Sequence, residues 1–126
     1  MKKQNTVLCV DDNDDNLELL KILFEMEGFE VTACSTAEDC LETVRKNDFS
    51  AIVLDYKLSD RDGLEVCREL RELKPHIPIV FYTGDIRGTS RQAVMEAGAD
   101  KYLLKPDDLE ILVPTVAGLI ASEVAA

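Results

Sequence analysis

The hydrophobic period of this chain switches repeatedly between strand-like and helix-like, and that alternation constrains the fold more than any other feature. Residues 7–10 (VLCV) form a short apolar run of strand length. Leu17, Leu20, Leu23 and Phe24 then recur at helical spacing until Gly28, a helix stop. The pattern repeats. A second strand covers about residues 29–34, and Ser35 with Glu38 forms a capping-box pattern opening a helix that reaches about Lys46. Residues 51–54 (AIVL) read as the third strand, and Val66, Cys67, Leu70 and Leu73 mark a third helix ended before Pro75. Residues 79–82 make the fourth strand, followed by a short helix over about 90–97 stopped by Gly98. Residues 102–104 make the fifth strand, and a last helix begins near Asp107. Such strict alternation predicts an α/β fold of βα units with a parallel sheet covered on both faces. No linker, repeat or low-complexity segment interrupts it, so the expectation is a single domain over residues 1–126 with no output domain.

Composition narrows the function classes. The chain has 126 residues, 46% of them apolar and 31% charged, enough to bury a core. Fourteen basic against 25 acidic residues give a net charge of −11. That field repels phosphate backbones and anionic lipid, so neither nucleic acid nor a membrane is expected as a partner. The opening MKKQNT runs straight into the first strand, with no signal-type segment and no apolar run of bilayer length anywhere, and a cytoplasmic location is expected. The cysteines (Cys9, Cys34, Cys40, Cys67) contain no CxxC pair and read as reduced thiols, most in apolar surroundings.

The polar residues that close the strands carry the chemistry. The first strand runs into Asp11 and Asp12, and the third into Asp55. In an open parallel sheet all strand carboxyl ends lie on one edge, and ligands bind where the strand order reverses. If the third strand returns beside the first, three carboxylates share one pocket. At ~4–5 Å and an effective dielectric near 20, each pair repels by roughly 3–4 kcal/mol, so the pocket calls for a counterion. An oxygen-only donor set suits a hard cation such as Mg²⁺. The fourth strand ends in Thr83-Gly84, a hydroxyl donor and a residue that lets backbone come close. The fifth leads to Lys105-Pro106, an ammonium at the same edge. Acids, metal, hydroxyl and lysine make a phosphoryl-handling set in which one carboxylate attacks. Singly, each residue has a structural explanation: Asp12 caps a helix, Asp55 sits in a turn, Thr83 closes a strand, Lys105 is a surface lysine. Their convergence on one sheet edge is what those separate explanations leave unaccounted for.

With these residues in view, the chain resembles the receiver domain of two-component response regulators, of the stand-alone chemotaxis-receiver type, over nearly its whole length. The resemblance rests on VLCVDDN, IVLDYKLSDRDG, FYTGD and ADKYLLKP in this order and spacing. It implies a flavodoxin-like (βα)5 doubly wound sheet in the order 2-1-3-4-5. It implies Asp55 as the phosphoacceptor, taking a phosphoryl group from a sensor histidine kinase or a histidine phosphotransfer protein. Asp11, Asp12, Asp55 and the Lys57 carbonyl would hold Mg²⁺, and Thr83 and Lys105 would contact the phosphoryl oxygens. Tyr102 matches the switch aromatic, Pro106 a proline that follows a cis peptide bond, and Lys57 and Asp85 the positions that modulate phosphoryl gain and loss. The implied protein is a regulatory phosphoacceptor rather than an enzyme with turnover. Its face of helix 4, strand 5 and helix 5 would bind a downstream protein target or a second copy of itself.

Ser59 stands where the family often has proline, and Asp107-Asp108, expected to cap helix 5, stand where an aromatic is common. An EF-hand reading of DDNDDN fails, because the sixth position is Asn16 and the twelfth Ile22. A haloacid-dehalogenase-type phosphatase needs a second Asp two residues after the nucleophile, where this chain has Lys57. A degenerate scaffold receiver would have lost an acid or the lysine. His76 reads as a loop residue. The last helix carries one charge, Glu123, between Ile111 and Ala126, and Pro114 is expected to kink or break it. Its apolar sides predict a second buried face including Leu119 and Ile120, the alternative being a fraying Ala-rich tail.

Overall fold

The computed structural model describes residues 5–84 and 90–125. Ten elements alternate along them: β1 (Thr6–Val10), α1 (Asp14–Met26), β2 (Glu30–Cys34), α2 (Ala37–Lys46), β3 (Ala51–Leu54), α3 (Gly63–Leu73), β4 (Ile79–Thr83), α4 (Arg91–Glu96), β5 (Lys101–Leu104) and α5 (Leu109–Ala125). The five strands form one parallel sheet in the order β2-β1-β3-β4-β5. This is the doubly wound, flavodoxin-like arrangement expected from the sequence.

Strand alternation sorts the core into two layers. Leu8, Val10, Ile52, Leu54, Ile79 and Phe81 face α2, α3 and α4, meeting Leu41, Val44, Val66, Leu70 and Val94. The intervening residues Val7, Cys9, Val53, Val80 and Leu103 face α1 and α5, meeting Leu20, Phe24, Leu112 and Val116. The central strands are buried on both faces, hence their unbroken apolar runs. The edge strand β2 keeps Glu30 and Thr32 in solvent, and β5 exposes Lys101, which blunts both edges against further pairing.

Helix ends follow local chemistry with shifts of a residue. Gly28 and Gly98 end α1 and α4 at φ of 91° and 114°, as their sequence positions imply. The cap of α1 is Asn13, whose side chain accepts the Asn16 amide, so Asp12 is released from capping. The α2 cap is Thr36 rather than Ser35, with its hydroxyl accepting from Asp39 N rather than a box closed by Glu38. Asp108, expected to cap α5, turns back instead and accepts the Leu104 amide at 2.8 Å, tying the end of β5.

The last helix differs from expectation. Pro114 lies inside α5, and the helix runs through it from Leu109 to Ala125. Proline removes only the bond to the Glu110 carbonyl. Both residues are exposed, so water serves that carbonyl, while Leu112 and Val116 on the other side anchor the helix. Ile120, assigned by sequence to an outer docking face, is 8% exposed and belongs to the core with Leu112 and Val116. Leu119 packs partly against the same layer, and the outward side is built from Glu110, Pro114, Gly118 and Ala121, with Ile111 as its one large exposed hydrophobe among the described residues. No helix among the described residues is long and apolar enough to cross a membrane.

Candidate functional site

Register brings the acids together. Val10 pairs with Leu54, so the next residues, Asp11 and Asp55, leave the sheet side by side, and the Asp55 amide donates to the Val10 carbonyl at 3.1 Å. Thr83 pairs with Leu104, and the Lys105 amide donates to the Thr83 carbonyl at 2.9 Å, which carries the lysine to the same edge. The topology therefore collects the ends of β1, β3, β4 and β5 around one point, at the reversal between β1 and β3.

Asp11, Asp12 and Asp55 each offer a carboxylate oxygen, and these oxygens lie within 4.8 Å of one another. Asp11 and Asp55 are buried, whereas Asp12 is exposed at the mouth. Lys105 Nζ donates to Asp11 Oδ2 at 2.5 Å and to Asp55 Oδ2 at 3.1 Å. Asp55 also accepts its neighbour Tyr56's amide at 2.8 Å and a hydrogen bond from the fully buried Thr83 hydroxyl. Asp11 accepts the Asn13 amide at 2.9 Å. Tyr102 on β5 is half-buried against the α2–α3–α4 layer, and the Lys105–Pro106 peptide is cis.

One ammonium serves two carboxylates, and the charges respond accordingly. Burial pushes the Asp55 carboxyl above the ordinary aspartate range. The Lys105 ammonium and Thr83 hydroxyl pull against that push, and Asp11 adds to it. Burial works against the Lys105 charge too, but the Asp11 hydrogen bond and the Asp55 charge overcome it, and its pKa is raised. Three carboxylates and one ammonium leave an excess of two negative charges, which a divalent cation would neutralise.

The loop from β3 to α3 carries Lys57, whose carbonyl is the remaining oxygen expected from the resemblance. It is closed at its base by an antiparallel bridge between Lys57 and Asp62 and by Gly63 N donating to Tyr56 O at 2.6 Å. That bond belongs to the residues flanking the bridge, so the bridge does not use the Lys57 carbonyl. Among the described residues no backbone amide donates to it. Lys57 itself is exposed. Asp85, the other position expected to modulate phosphoryl gain and loss, lies outside the described residues.

The loop also shows what sequence reading missed. A Cβ at Gly63 would lie 2.5 Å from Asp55 O, 2.7 Å from Tyr56 O and 2.8 Å from Tyr56 Cα, so α3 approaches the end of β3 only because residue 63 has no side chain. At Gly84, singled out from sequence for close approach, a Cβ would meet Lys105 Cβ at 3.6 Å, an ordinary contact. The Asp62-Gly63 pair at a helix start carried the signal: Asp62 caps α3, accepting Leu64 N at 2.7 Å. The four thiols are buried and free, and burial raises each of them, Cys9 and Cys40 to about 12 and Cys67 to about 11, which disfavours the thiolate. A cavity of about 610 Å³ opens elsewhere, lined by Phe49, Pro75, Ile77 and Ile120. Asp11, Asp12 and Asp55 do not line it.

Comparison with known proteins agrees with this geometry. Residues 7–117 match the family described as the response regulator receiver domain. The transcriptional regulatory protein SrrA of Staphylococcus aureus is 38% identical over 102 residues, 81% of this chain but 42% of SrrA, so the chain spans less than half of that relative. A two-component response regulator from Clostridium difficile superimposes with a TM-score of 0.87 at 30% identity, covering 94% of this chain and 97% of that one. The response regulator TrrA from Thermotoga maritima, in complex with Mg²⁺–BeF, gives 0.83 at 28% identity over 92% and 99%.

Proposed function

The chain belongs to the response regulator receiver domain family, and from that premise we propose that it is a phosphoacceptor switch whose reactive residue is Asp55. The observation that carries the reading is the meeting of Asp11, Asp12, Asp55, Thr83 and Lys105 at one sheet edge, with two negative charges in excess.

The donor is a phosphohistidine of a sensor kinase or histidine phosphotransfer protein. An Asp55 oxygen bonds to phosphorus as the phosphorus–nitrogen bond breaks, leaving an aspartyl phosphate and a free histidine. Lys105, already 3.1 Å from Asp55 Oδ2, neutralises the oxygens that gather there, and Thr83 transfers its hydrogen bond from the carboxylate to the phosphoryl group. Tyr102, on the strand beside Thr83, follows that movement, and the surface of α4, β5 and α5 changes what it binds. The residues fit a hard divalent cation: the carboxylates of Asp11, Asp12 and Asp55 and the Lys57 carbonyl would hold Mg²⁺. Bound there, it supplies positive charge to the carboxylates and to the incoming phosphoryl oxygens. The similarity to TrrA, crystallised with Mg²⁺–BeF, supports that assignment. Phosphorylation and dephosphorylation are self-catalysed, and the location is cytoplasmic.

SrrA is a transcriptional regulator, and this chain matches less than half of it. The expectation of no nucleic-acid partner therefore concerns these 126 residues alone, whose charge of −11 repels phosphate. Their partners are the kinase and a downstream protein or a second copy.

Incubation with acetyl phosphate and Mg²⁺, followed by mass spectrometry, tests the reading. A single phosphoryl group on Asp55 is expected, absent in EDTA and in Asp55→Asn. Metal-independent labelling, or labelling of the Asn variant at an unchanged level, overturns it.

A further inference from the structure

The first turn of α2 is held by a residue from a distant loop. Its own cap, Thr36, serves only the Asp39 amide, at 3.1 Å. The amides of Ala37 and Glu38, which have no partner inside the helix, both donate to Asp60: Ala37 N to Oδ1 at 2.9 Å and Glu38 N to Oδ2 at 3.1 Å. Asp60 lies 23 and 22 residues further along, at the tip of the loop that leaves Asp55 and enters α3. Those amides hold its carboxyl below the usual range even though the residue is exposed.

Three other ties fix the rest of that loop. The Lys57–Asp62 bridge and the Gly63–Tyr56 bond close its base, Asp62 caps α3, and Leu58 is buried in the layer shared by α2 and α3. Asp60 is the tie at the tip. Its nearest consequence for the site is Lys57, whose carbonyl receives no backbone amide among the described residues and is aimed only by the loop's conformation.

We propose that Asp60 is a positioning residue of the phosphoryl site: by clasping the N-terminus of α2 it holds the loop so that the Lys57 carbonyl faces the acidic cluster, and it thereby helps set Mg²⁺ affinity and the rate of phosphoryl acceptance. This rests on the proposed function above. Releasing the clasp lets the loop sample arrangements in which the carbonyl points away. Apparent affinity falls by the fraction of molecules still competent. If that fraction drops to about one in five, Mg²⁺ binds about fivefold more weakly.

The rival explanation is that Asp60 merely caps a helix. Thr36→Ala separates the two, since it removes the other cap of the same turn and, among the described residues, breaks no hydrogen bond to the loop. Mg²⁺ affinity by titration calorimetry and labelling by acetyl phosphate are measured for wild type, Asp60→Ala, Asp60→Asn and Thr36→Ala, alongside urea stability. Both Ala variants lose stability, but only Asp60→Ala weakens Mg²⁺ binding about three- to tenfold and slows labelling. Asp60→Asn, which keeps one acceptor, falls between, and decides the matter should Asp60→Ala not fold. An affinity for the Asp60 variants within twofold of wild type, or an equal loss in Thr36→Ala, overturns the inference while wild-type labelling at Asp55 leaves the proposed function standing. A wild type that neither binds Mg²⁺ nor labels overturns the function itself.

Discussion

Asp55→Asn should stabilise the metal-free protein, although it deletes a partner of Lys105. Lys105 Nζ lies 3.1 Å from Asp55 Oδ2, worth about 5 kcal/mol of attraction at an effective dielectric of 20. Against it stands Asp11, with carboxylate oxygens within 4.8 Å, repelling by about 3.5 kcal/mol. Asp12 repels as well, but it is exposed and its contribution is roughly halved by solvent. The Coulomb terms nearly cancel. What remains is the burial of the carboxylate, the first cause of its raised pKa, offset in part by hydrogen bonds from Thr83 and the Tyr56 amide. Asparagine keeps an acceptor for those donors and drops the charge, so the gain is on the order of 1 kcal/mol. The pH dependence has a definite sign. Because the folded state holds the Asp55 proton more tightly than the unfolded chain, wild-type stability falls as pH rises from the ordinary aspartate range, near 4, through the raised folded value. Wild type and variant should thus converge in acid and separate at neutral pH. Urea unfolding followed by circular dichroism in EDTA reads both effects. Saturating Mg²⁺ reverses the order, since a ligand at a hundred times its Kd adds about 2.7 kcal/mol to the protein that binds it fully. A variant less stable than wild type in EDTA, or an order unchanged by Mg²⁺, refutes the reasoning.

Lys105→Ala leaves Asp11 and Asp55 without their shared cation, and should cost about 3 kcal/mol in EDTA, with Mg²⁺ restoring much of it in the same unfolding assay. Gly63→Ala drives a methyl group into the Asp55 and Tyr56 carbonyls, and a loss of about 3 kcal/mol or failure to fold is expected. Gly84→Ala, with 3.6 Å of clearance, should stay within about 1 kcal/mol of wild type; equal losses in the two glycine variants would contradict the geometry. Pro114→Ala restores the amide that the Glu110 carbonyl lacks inside a continuous helix, and should raise the thermal midpoint by stabilising the protein about 1–3 kcal/mol.

What the sequence disclosed depended on the range of the interaction. Element type was legible because strand and helix impose different periods, and the strand-end acids were legible because βα topology sends every such end to one edge. Caps were displaced by one residue. Ser35 and Thr36 are chemically equivalent candidates, and only the backbone path decides which oxygen reaches an amide. Asp60 gave no local signal at all, because its partners are Ala37 and Glu38 across the fold. Gly63 had only the local cue of an Asp-Gly pair at a helix start, while its constraint is the approach of α3 to β3. In α5, composition suggested two buried faces, but α5 packs on the sheet along one side, with Leu112, Val116 and Ile120 buried and Leu109, Val113, Ala117 and Leu119 partly so. Pro114 was overruled as a breaker because it falls on the solvent side, where a lost bond is replaced by water.

The same geometry revises how the switch obtains its energy. A threonine hydroxyl newly engaged by a phosphoryl oxygen would contribute about 1.5–3 kcal/mol as a charge-assisted bond. Thr83 already donates to the Asp55 carboxylate, so phosphorylation exchanges one charge-assisted bond for another and only the difference is available. Lys105 is likewise already shared between Asp11 and Asp55. Taking a two-state surface from about 1:99 to 99:1 requires about 5.5 kcal/mol of differential stabilisation. On the proposed reading, little of it comes from bonds formed where none existed. It comes from replacing the single charge of the Asp55 carboxylate with a phosphoryl group carrying up to about two, which makes the arrangement of Thr83, Lys105 and the bound cation around those charges more consequential than it is around a carboxylate. On that reading, a small covalent addition reweights contacts that are present in both states.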